Sequence, residues 1–246
     1  MPAHLRTARD PGPMFITLEG IEGSGKTTAL AGLIAFLEQR GHACTVTREP
    51  GGTPFGRRLR AILLDPDSHD LDPRAECLLY CADRVQHVHA VLQPALTAGR
   101  TVVCDRYLDA TLAYQGGARG LGMDLIREMH RLVLPPLVPD VTFLFDLDPG
   151  IGLARARAAL ADGRRRQREA RFEDEDLAFH EAVRRNYLDL ARAEPERFVL
   201  IDAALPPEDV LRQMRSAMAV RLPAAPCEDP PKAAAPAAAE RLKRRP

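Results

Sequence analysis

The chain has 246 residues, with 34 Lys+Arg against 34 Asp+Glu and a formal net charge of zero. Such a length gives room for one sizeable α/β domain, and the charge balance removes any global pull toward nucleic acid or an acidic membrane. No run of about 18 apolar residues occurs, so no membrane span is expected, and the N-terminus lacks the apolar region of a secretion signal.

In chain order, residues 1–12 show no periodicity and read as a disordered extension ahead of a domain at 13–222. Residues 14–19, Met-Phe-Ile-Thr-Leu-Glu, read as a short buried strand. Residues 20–27, Gly-Ile-Glu-Gly-Ser-Gly-Lys-Thr, then match the G-x-x-x-x-G-K-[ST] pattern of a nucleoside-triphosphate phosphate loop. Its glycines let successive backbone N–H groups turn inward around a phosphate. Lys26 reaches the β- and γ-phosphates, and the Thr27 hydroxyl is a ligand for Mg²⁺. A helix at 26–40 follows, with Leu30, Leu33, Ile34 and Leu37 at helical spacing. Strand, loop and helix together aim a helix N-terminus at an anion.

A second strand at 43–48 leads into Thr47-Arg48-Glu49-Pro50-Gly51-Gly52-Thr53, where Arg48 is placed to hold a phosphate. Helices are predicted at 55–65 and 73–98. A third strand, 101–105, ends in Asp105-Arg106-Tyr107. A carboxylate at that point is the Mg²⁺-side acid of phosphate-loop enzymes, with the Arg countering phosphoryl charge; a purely structural Asp–Arg pair is the alternative. Beyond it come a helix at 123–134, a strand at 141–147 and a helix at 149–161. The Arg-rich stretch at 162–173 reads as a polar lid, most of whose arginines are solvated while one or two close over a nucleotide. A helix at 174–194, a strand at 197–202 and a helix at 207–221 complete the pattern. Residues 223–246 are Ala/Pro-rich with a basic end and read as a disordered, solvated tail. This alternation implies a parallel sheet with helices on both faces, and ligands in such sheets sit at the carboxyl ends of the strands.

The cysteines, at 44, 77, 81, 104 and 227, form no C-x-x-C pair and read as packing thiols in a reducing cytoplasm rather than as a metal site.

Four signatures in this order carry a family resemblance: residues 19–28, Thr47–Thr53, Asp105-Arg106-Tyr107 and Ala113-Tyr114-Gln115-Gly116-Gly117. With them, residues 14 to about 221 closely resemble the bacterial thymidylate kinases. The resemblance implies a five-stranded parallel sheet, a homodimer, and transfer of the γ-phosphoryl group of ATP to dTMP with Mg²⁺, in dTTP synthesis. It assigns ATP to Gly20, Ile21, Glu22, Gly23, Ser24, Gly25, Lys26, Thr27 and Thr28, and the metal to Thr27 and Asp105. Arg106 bridges donor and acceptor phosphates, and Arg48 holds the acceptor phosphate. Glu22 looks like the acid that meets the dTMP 3′-hydroxyl. Tyr80 matches the aromatic position stacked on thymine, and Arg84 the Arg bonded to a base carbonyl. Their i, i+4 spacing puts both on one helix face. Thr111 reads the base edge, Tyr114 crowds the sugar C2′, and Gln115 supports the pocket.

Some relatives carry an Arg directly after the loop acid, where this chain has Gly23. The resemblance then assigns the missing charge to the lid. Family lids often read Asp-Arg-x-Glu; the corresponding run here is Ala170-Arg171-Phe172-Glu173. Arg171 is the first choice for the catalytic Arg, with Arg168 and Arg166 behind it. The rivals are a kinase for another nucleoside monophosphate and a phosphate-loop ATPase switch with no acceptor.

Overall fold

Five short strands form where the chain turns apolar, and in the interior of the sheet they are covered on both faces, as parallel strands require. They are β1 (Phe15–Glu19), β2 (Cys44–Arg48), β3 (Thr101–Asp105), β4 (Val141–Asp146) and β5 (Phe198–Asp202). The computed structural model describes residues 12–162 and 170–222. All strand pairs are parallel, in the order β2-β3-β1-β4-β5. All five strands, and the sheet they make, lie where the sequence patterning puts them. β1, β3 and β4 are buried along almost their whole length, whereas β2 and β5 at the edges are partly exposed.

Successive residues of a strand face opposite sides, so the sheet divides the core in two. Ile16, Leu18 and Val103 point into the larger half with Leu33, Phe143, Val183 and Met214. Phe15, Val102 and Cys104 point into a smaller half with Val88, Leu92 and Tyr107.

Among the described residues the helices are α1 (Lys26–Glu38), α2 (Pro54–Leu63), α3 (Pro73–His87), α4 (Gln93–Thr97), α5 (Leu108–Thr111), α6 (Met123–Val133), α7 (Pro149–Ala161), α8 (Leu177–Ala193) and α9 (Pro207–Arg221). The single helix expected at 73–98 is α3 and α4 joined by a wide π turn at Val88–Leu92. Pro94 has no N–H to continue the regular ladder, and the backbone widens just ahead of it. α8 starts three residues later than expected because the Asp176 carboxylate accepts from Phe179 N–H at 2.7 Å and caps it.

The sequence pattern missed α5 and the π turns of Leu112–Ala118 that continue it. Gly116 and Gly117 weaken local helix propensity there. Tertiary contact supplies what propensity lacks: Asn186 on α8 donates to the Ala113 carbonyl at 3.0 Å, and a Cβ on Gly117 would fall 2.0 Å from the Asn186 amide. No helix of the described residues is long and apolar enough to cross a membrane. The expectations for residues 1–12 and 223–246 fall, apart from Gly12, outside the described residues.

Candidate active site

The β1–β3 register sets Leu18 against Asp105, and the β2–β3 register sets Arg48 against the same residue. Three strand ends therefore deliver the phosphate loop, Asp105 and Arg48 side by side, at the edge where ligands collect in such sheets. A cavity of about 1320 Å³ opens there. Single-ligand pockets run to roughly 1,000 Å³, so it has room for two nucleotides.

The loop is built for an anion. Gly20, Gly23 and Gly25 have φ of 136°, 70° and 90°, conformations that glycine adopts without strain. Gly25 precedes α1 and no side chain of the described residues caps that helix, so its first N–H groups are uncommitted to a cap at the cavity. Lys26 Nζ donates to the carbonyls of Gly20 and Ile21 at 2.7 and 2.9 Å and to Ser24 Oγ at 3.1 Å. Burial, and then the Arg106 guanidinium, lower its pKa to about 8, against the pull of Asp105 and Glu22.

Gly23 is also pinned from outside the loop. A Cβ on it would lie 2.1 Å from the Gly152 carbonyl of α7, and a Cβ on Gly152 would lie 2.6 Å from the Glu22 carbonyl. The two backbones touch, which leaves no room for a side chain at position 23.

Arg106 holds φ of 70°, the one positive value at a non-glycine residue among those described. Neighbouring contacts maintain this costly geometry. Its N–H donates to Leu18 O at 3.0 Å, and the next N–H, of Tyr107, donates to Glu19 Oε1 at 2.7 Å. Glu19 Oε2 accepts from the Tyr187 hydroxyl at 2.8 Å. Burial first, and Asp109 second, raise the Glu19 pKa to about 8.

The Arg106 side chain reaches back across the loop. Its Nη2 donates to Glu22 Oε1 at 2.7 Å and to the Tyr114 hydroxyl at 3.1 Å. Tyr114 donates in turn to both oxygens of Glu22, at 2.9 and 2.8 Å. Burial alone would raise the Glu22 pKa, but Arg106, His180 and Lys26 outweigh it and hold the carboxyl well below the usual range. His180 Nδ1 stands 3.5 Å from Glu22 Oε2.

Asp105 Oδ1 is buried and has no hydrogen-bond partner among the described residues. This orphaned carboxylate oxygen and the exposed residue Thr27 line the same cavity, and carboxylate and hydroxyl oxygens suit a hard cation that takes oxygen ligands. No group of three or more potential metal ligands occurs among the described residues, so such an ion would draw its remaining ligands from phosphates and water. Cys77 and Cys81 are free thiols, and burial raises both pKa values, as expected for packing residues.

Tyr80, Arg84, Thr111, Tyr114 and Gln115 line the opposite end of the cavity. Arg84 is more committed than its sequence context suggests. Its Nε donates to Glu49 Oε2 at 2.8 Å, and its Nη2 to Tyr107 O at 3.1 Å and Thr111 Oγ1 at 2.8 Å. Nη1 makes no hydrogen bond to any described residue. Gln115 donates to Glu76 Oε1 at 2.7 Å and so stiffens the wall.

Arg171 does not line the cavity. The stretch expected to be polar and solvated is buried over Ala170–Glu173. Arg171 Nη2 pairs with Glu76 Oε2 at 2.7 Å, and Nη1 donates to the Leu63 carbonyl at 3.1 Å. The Arg171 expected to enter the site on closure is held here by a buried carboxylate, away from the cavity. Arg166 and Arg168 lie outside the described residues.

Several site residues were missed by sequence reasoning. Glu49 is buried and joins Arg84 to His87 Nδ1 at 2.9 Å, while His87 Nε2 meets Thr47 Oγ1 at 2.6 Å. This network secures the turn after β2, which contains a cis Glu49–Pro50 bond. Arg57 and Arg60 on α2 add positive charge near Arg48, and Phe172 closes the wall beside Tyr114. Arg155, Ala203, Leu205 and Val210 line the far end next to the loop after β5. Arginines spaced three apart at 57 and 60 were a readable signal; the roles of Glu49, His87 and His180 were not, because their partners are distant in sequence.

Comparison with known proteins agrees with this geometry. The family model described as thymidylate kinase matches residues 18–214. The thymidylate kinase of Desulfosudis oleivorans is 56% identical over 205 residues, covering 83% of this chain and 96% of that protein. That of Deinococcus radiodurans is 50% identical over 208 residues, covering 85% and 97%. The crystal structure of thymidylate kinase from Ehrlichia chaffeensis superposes with a TM-score of 0.67 at 30% identity, covering 85% of this chain and all of that one.

Proposed function

The chain belongs to the thymidylate kinase family, and from that premise we propose that it transfers the γ-phosphoryl group of ATP to dTMP, giving ADP and dTDP. The observation that carries this reading is the single cavity joining the phosphate loop at one end to Tyr80, Arg84 and Thr111 at the other. A nucleotide-hydrolysing switch needs no such acceptor end.

The chemistry needs little from the protein beyond position and charge. A phosphate monoester has a second pKa of about 6, so at neutral pH the acceptor is already an anionic nucleophile and no general base is required. One of its oxygens attacks the γ-phosphorus, and the bond to the β–γ bridging oxygen breaks. ADP leaves with that electron pair. Two polyanions must meet, and Lys26, Arg48 and Arg106 offset their repulsion. Lys26 exchanges its loop carbonyls for the β- and γ-phosphates. Arg106, held at positive φ between Leu18 and Glu19, stands where donor and acceptor phosphates meet. Tyr80 stacks on the base, with Nη1 of Arg84 and the Thr111 hydroxyl at its edge. Glu22 accepts the sugar 3′-hydroxyl while Tyr114 crowds C2′.

The family's phosphate donor works with a divalent cation, and Mg²⁺ is the ion we propose here. Thr27 and Asp105 would hold it, and it would neutralise phosphate charge. The catalytic unit we propose spans residues 13–222. A homodimer is supported by large apolar side chains exposed on α2, α3 and α6: Ile62 at 48%, Leu78 at 58% and Leu132 at 67%. A cytoplasmic location is supported by the four free cysteines of the described residues.

The test is a coupled ADP-release assay over a panel of monophosphate acceptors. The reading expects release that requires dTMP and Mg²⁺. Release that is independent of any acceptor would favour the switch, and preference for another monophosphate would relocate the specificity.

A further inference from the structure

The turn that ends the Arg-rich stretch, Arg171–Asp174, is wedged between α3 and the acceptor end of the cavity. Arg171 is 4% exposed and Glu76 fully buried. Beyond the 2.7 Å pair with Glu76 and the bond to Leu63 O, the Arg171 N–H donates to Leu64 O at 3.2 Å. Arg171 is therefore fastened to the end of α2 as well as to α3. Glu76 is shared: Gln115 donates to its Oε1, and Arg119 Nε stands 3.5 Å from the same oxygen.

One residue further on, the Phe172 ring walls the cavity, edge-on to Tyr114 with centroids 5.5 Å apart. The Phe172 carbonyl is bonded to His180 Nε2 at 2.8 Å. Glu76, Tyr80 and Arg84 are spaced four apart on α3, so the ion pair lies on the helix face that carries the two base-contacting residues. Moving the Arg171 guanidinium to the phosphates would leave Glu76, among the described residues, with only the longer 3.5 Å pairing to Arg119 in a buried site, where a poorly compensated charge is unfavourable.

We propose that Arg171 is a positioning residue: its pair with Glu76 fixes the 171–174 turn so that Phe172 walls the acceptor end beside Tyr114, and it does not touch the transferring phosphoryl group. The proposal rests on the dTMP kinase reading.

The test uses the full chain and the variants Arg171→Lys, Arg171→Gln, Glu76→Gln and the double Glu76→Gln/Arg171→Gln. Rates are measured with dTMP and ATP varied separately, alongside amide hydrogen exchange of residues 171–175. Arg171→Gln and Glu76→Gln should each raise KM for dTMP on the order of tenfold, the coupling typical of residues in contact. Their kcat should stay within about threefold of the parent. Arg171→Lys, which keeps the charge pair, should recover most of the lost KM. The double variant should be no worse than the poorer single, because the pair is lost only once. Exchange at 171–175 should rise in Arg171→Gln.

A kcat loss of roughly a hundredfold in both Arg171 variants, with KM for dTMP at the parent value, would identify a transition-state role and overturn the proposal. Parental KM and parental exchange in both glutamine singles would also overturn it. If Arg171→Gln does not fold, the double variant, which leaves no lone buried charge, carries the kinetics. Should the parent form no dTDP at all, the kinase reading fails; exchange at 171–175 then still decides whether Arg171 pins the turn.

Discussion

Tyr114 donates its hydroxyl to both carboxylate oxygens of Glu22, across 92 residues of chain. The residue expected to police the sugar C2′ thus also orients the acid expected to meet the 3′-hydroxyl. The π turns at 112–118 make this pairing by turning Tyr114 toward the loop. Tyr114→Phe keeps the ring and loses both bonds. It should lower kcat/KM for dTMP about tenfold, as for a hydrogen bond to a charged group. The ratio of kcat/KM for dTMP over UMP should hold in Tyr114→Phe and fall in Tyr114→Ala. If the alanine variant keeps the parent ratio, Tyr114 does not select the sugar.

Lys26→Ala and Arg106→Ala should each lower kcat by about 10²–10³, the cost of removing a charge aimed at the transferring group. Circular dichroism should show both variants folded. Parental turnover at saturating substrates in either one would remove that residue from the phosphoryl path.

Lys26 gives ATP binding a pH dependence with a definite sign. In the free protein burial lowers its pKa to about 8. Bound phosphates favour the charged form, so above about pH 8 binding must take up a proton. Kd for ATP should therefore rise as pH increases through 8, approaching tenfold per unit. Calorimetry in buffers of different ionisation heat should register proton uptake at about pH 9. A Kd that stays flat from pH 7.5 to 9.5, with no buffer dependence, would contradict the assignment.

Glu19 has a raised folded pKa of about 8 against an ordinary 4.5. Between those values the unfolded chain has given up a proton that the folded chain keeps. Its contribution to stability therefore declines as pH rises through that window. Glu19→Gln should match the parent near pH 5 and become the more stable of the two as pH rises toward 8, because an amide can accept from Tyr107 N–H and donate to the Tyr187 oxygen without the cost of keeping a proton. Glu19→Ala should cost about 1–3 kcal/mol by stranding both partners. Denaturant midpoints at pH 5 and 8 check this: a glutamine variant as unstable as the alanine one would show that the carboxylate charge is needed.

Gly23→Arg should not supply the charge that some relatives place at this position. The first carbon of any side chain would meet the Gly152 carbonyl, and the residue already sits at φ of 70°. We expect weaker ATP binding and a loss of roughly 1–3 kcal/mol in stability. A variant that binds ATP as the parent does would mean that α7 yields at this contact.

The parts of this protein legible in sequence are those whose cause is local. Five apolar runs spaced by helical patterns specify a parallel sheet, and residues 20–27 carry their own phosphate-binding geometry in their glycines. Asp105 and Arg106 are readable because they end an apolar strand. Tertiary structure decided what depends on partners far apart in the chain. Arg171 looks like a free lid charge in sequence, but Glu76, 95 residues earlier, binds it, since a buried carboxylate draws the nearest guanidinium out of solvent. The glycines at 116 and 117 argue against a helix until Asn186 and α8 pack on it. Glu49 and His87 look like ordinary loop and helix residues until the fold removes water from around them. A polar group with no water left must find a protein partner, and which one it finds is set by the packing of whole elements rather than by any neighbour in sequence.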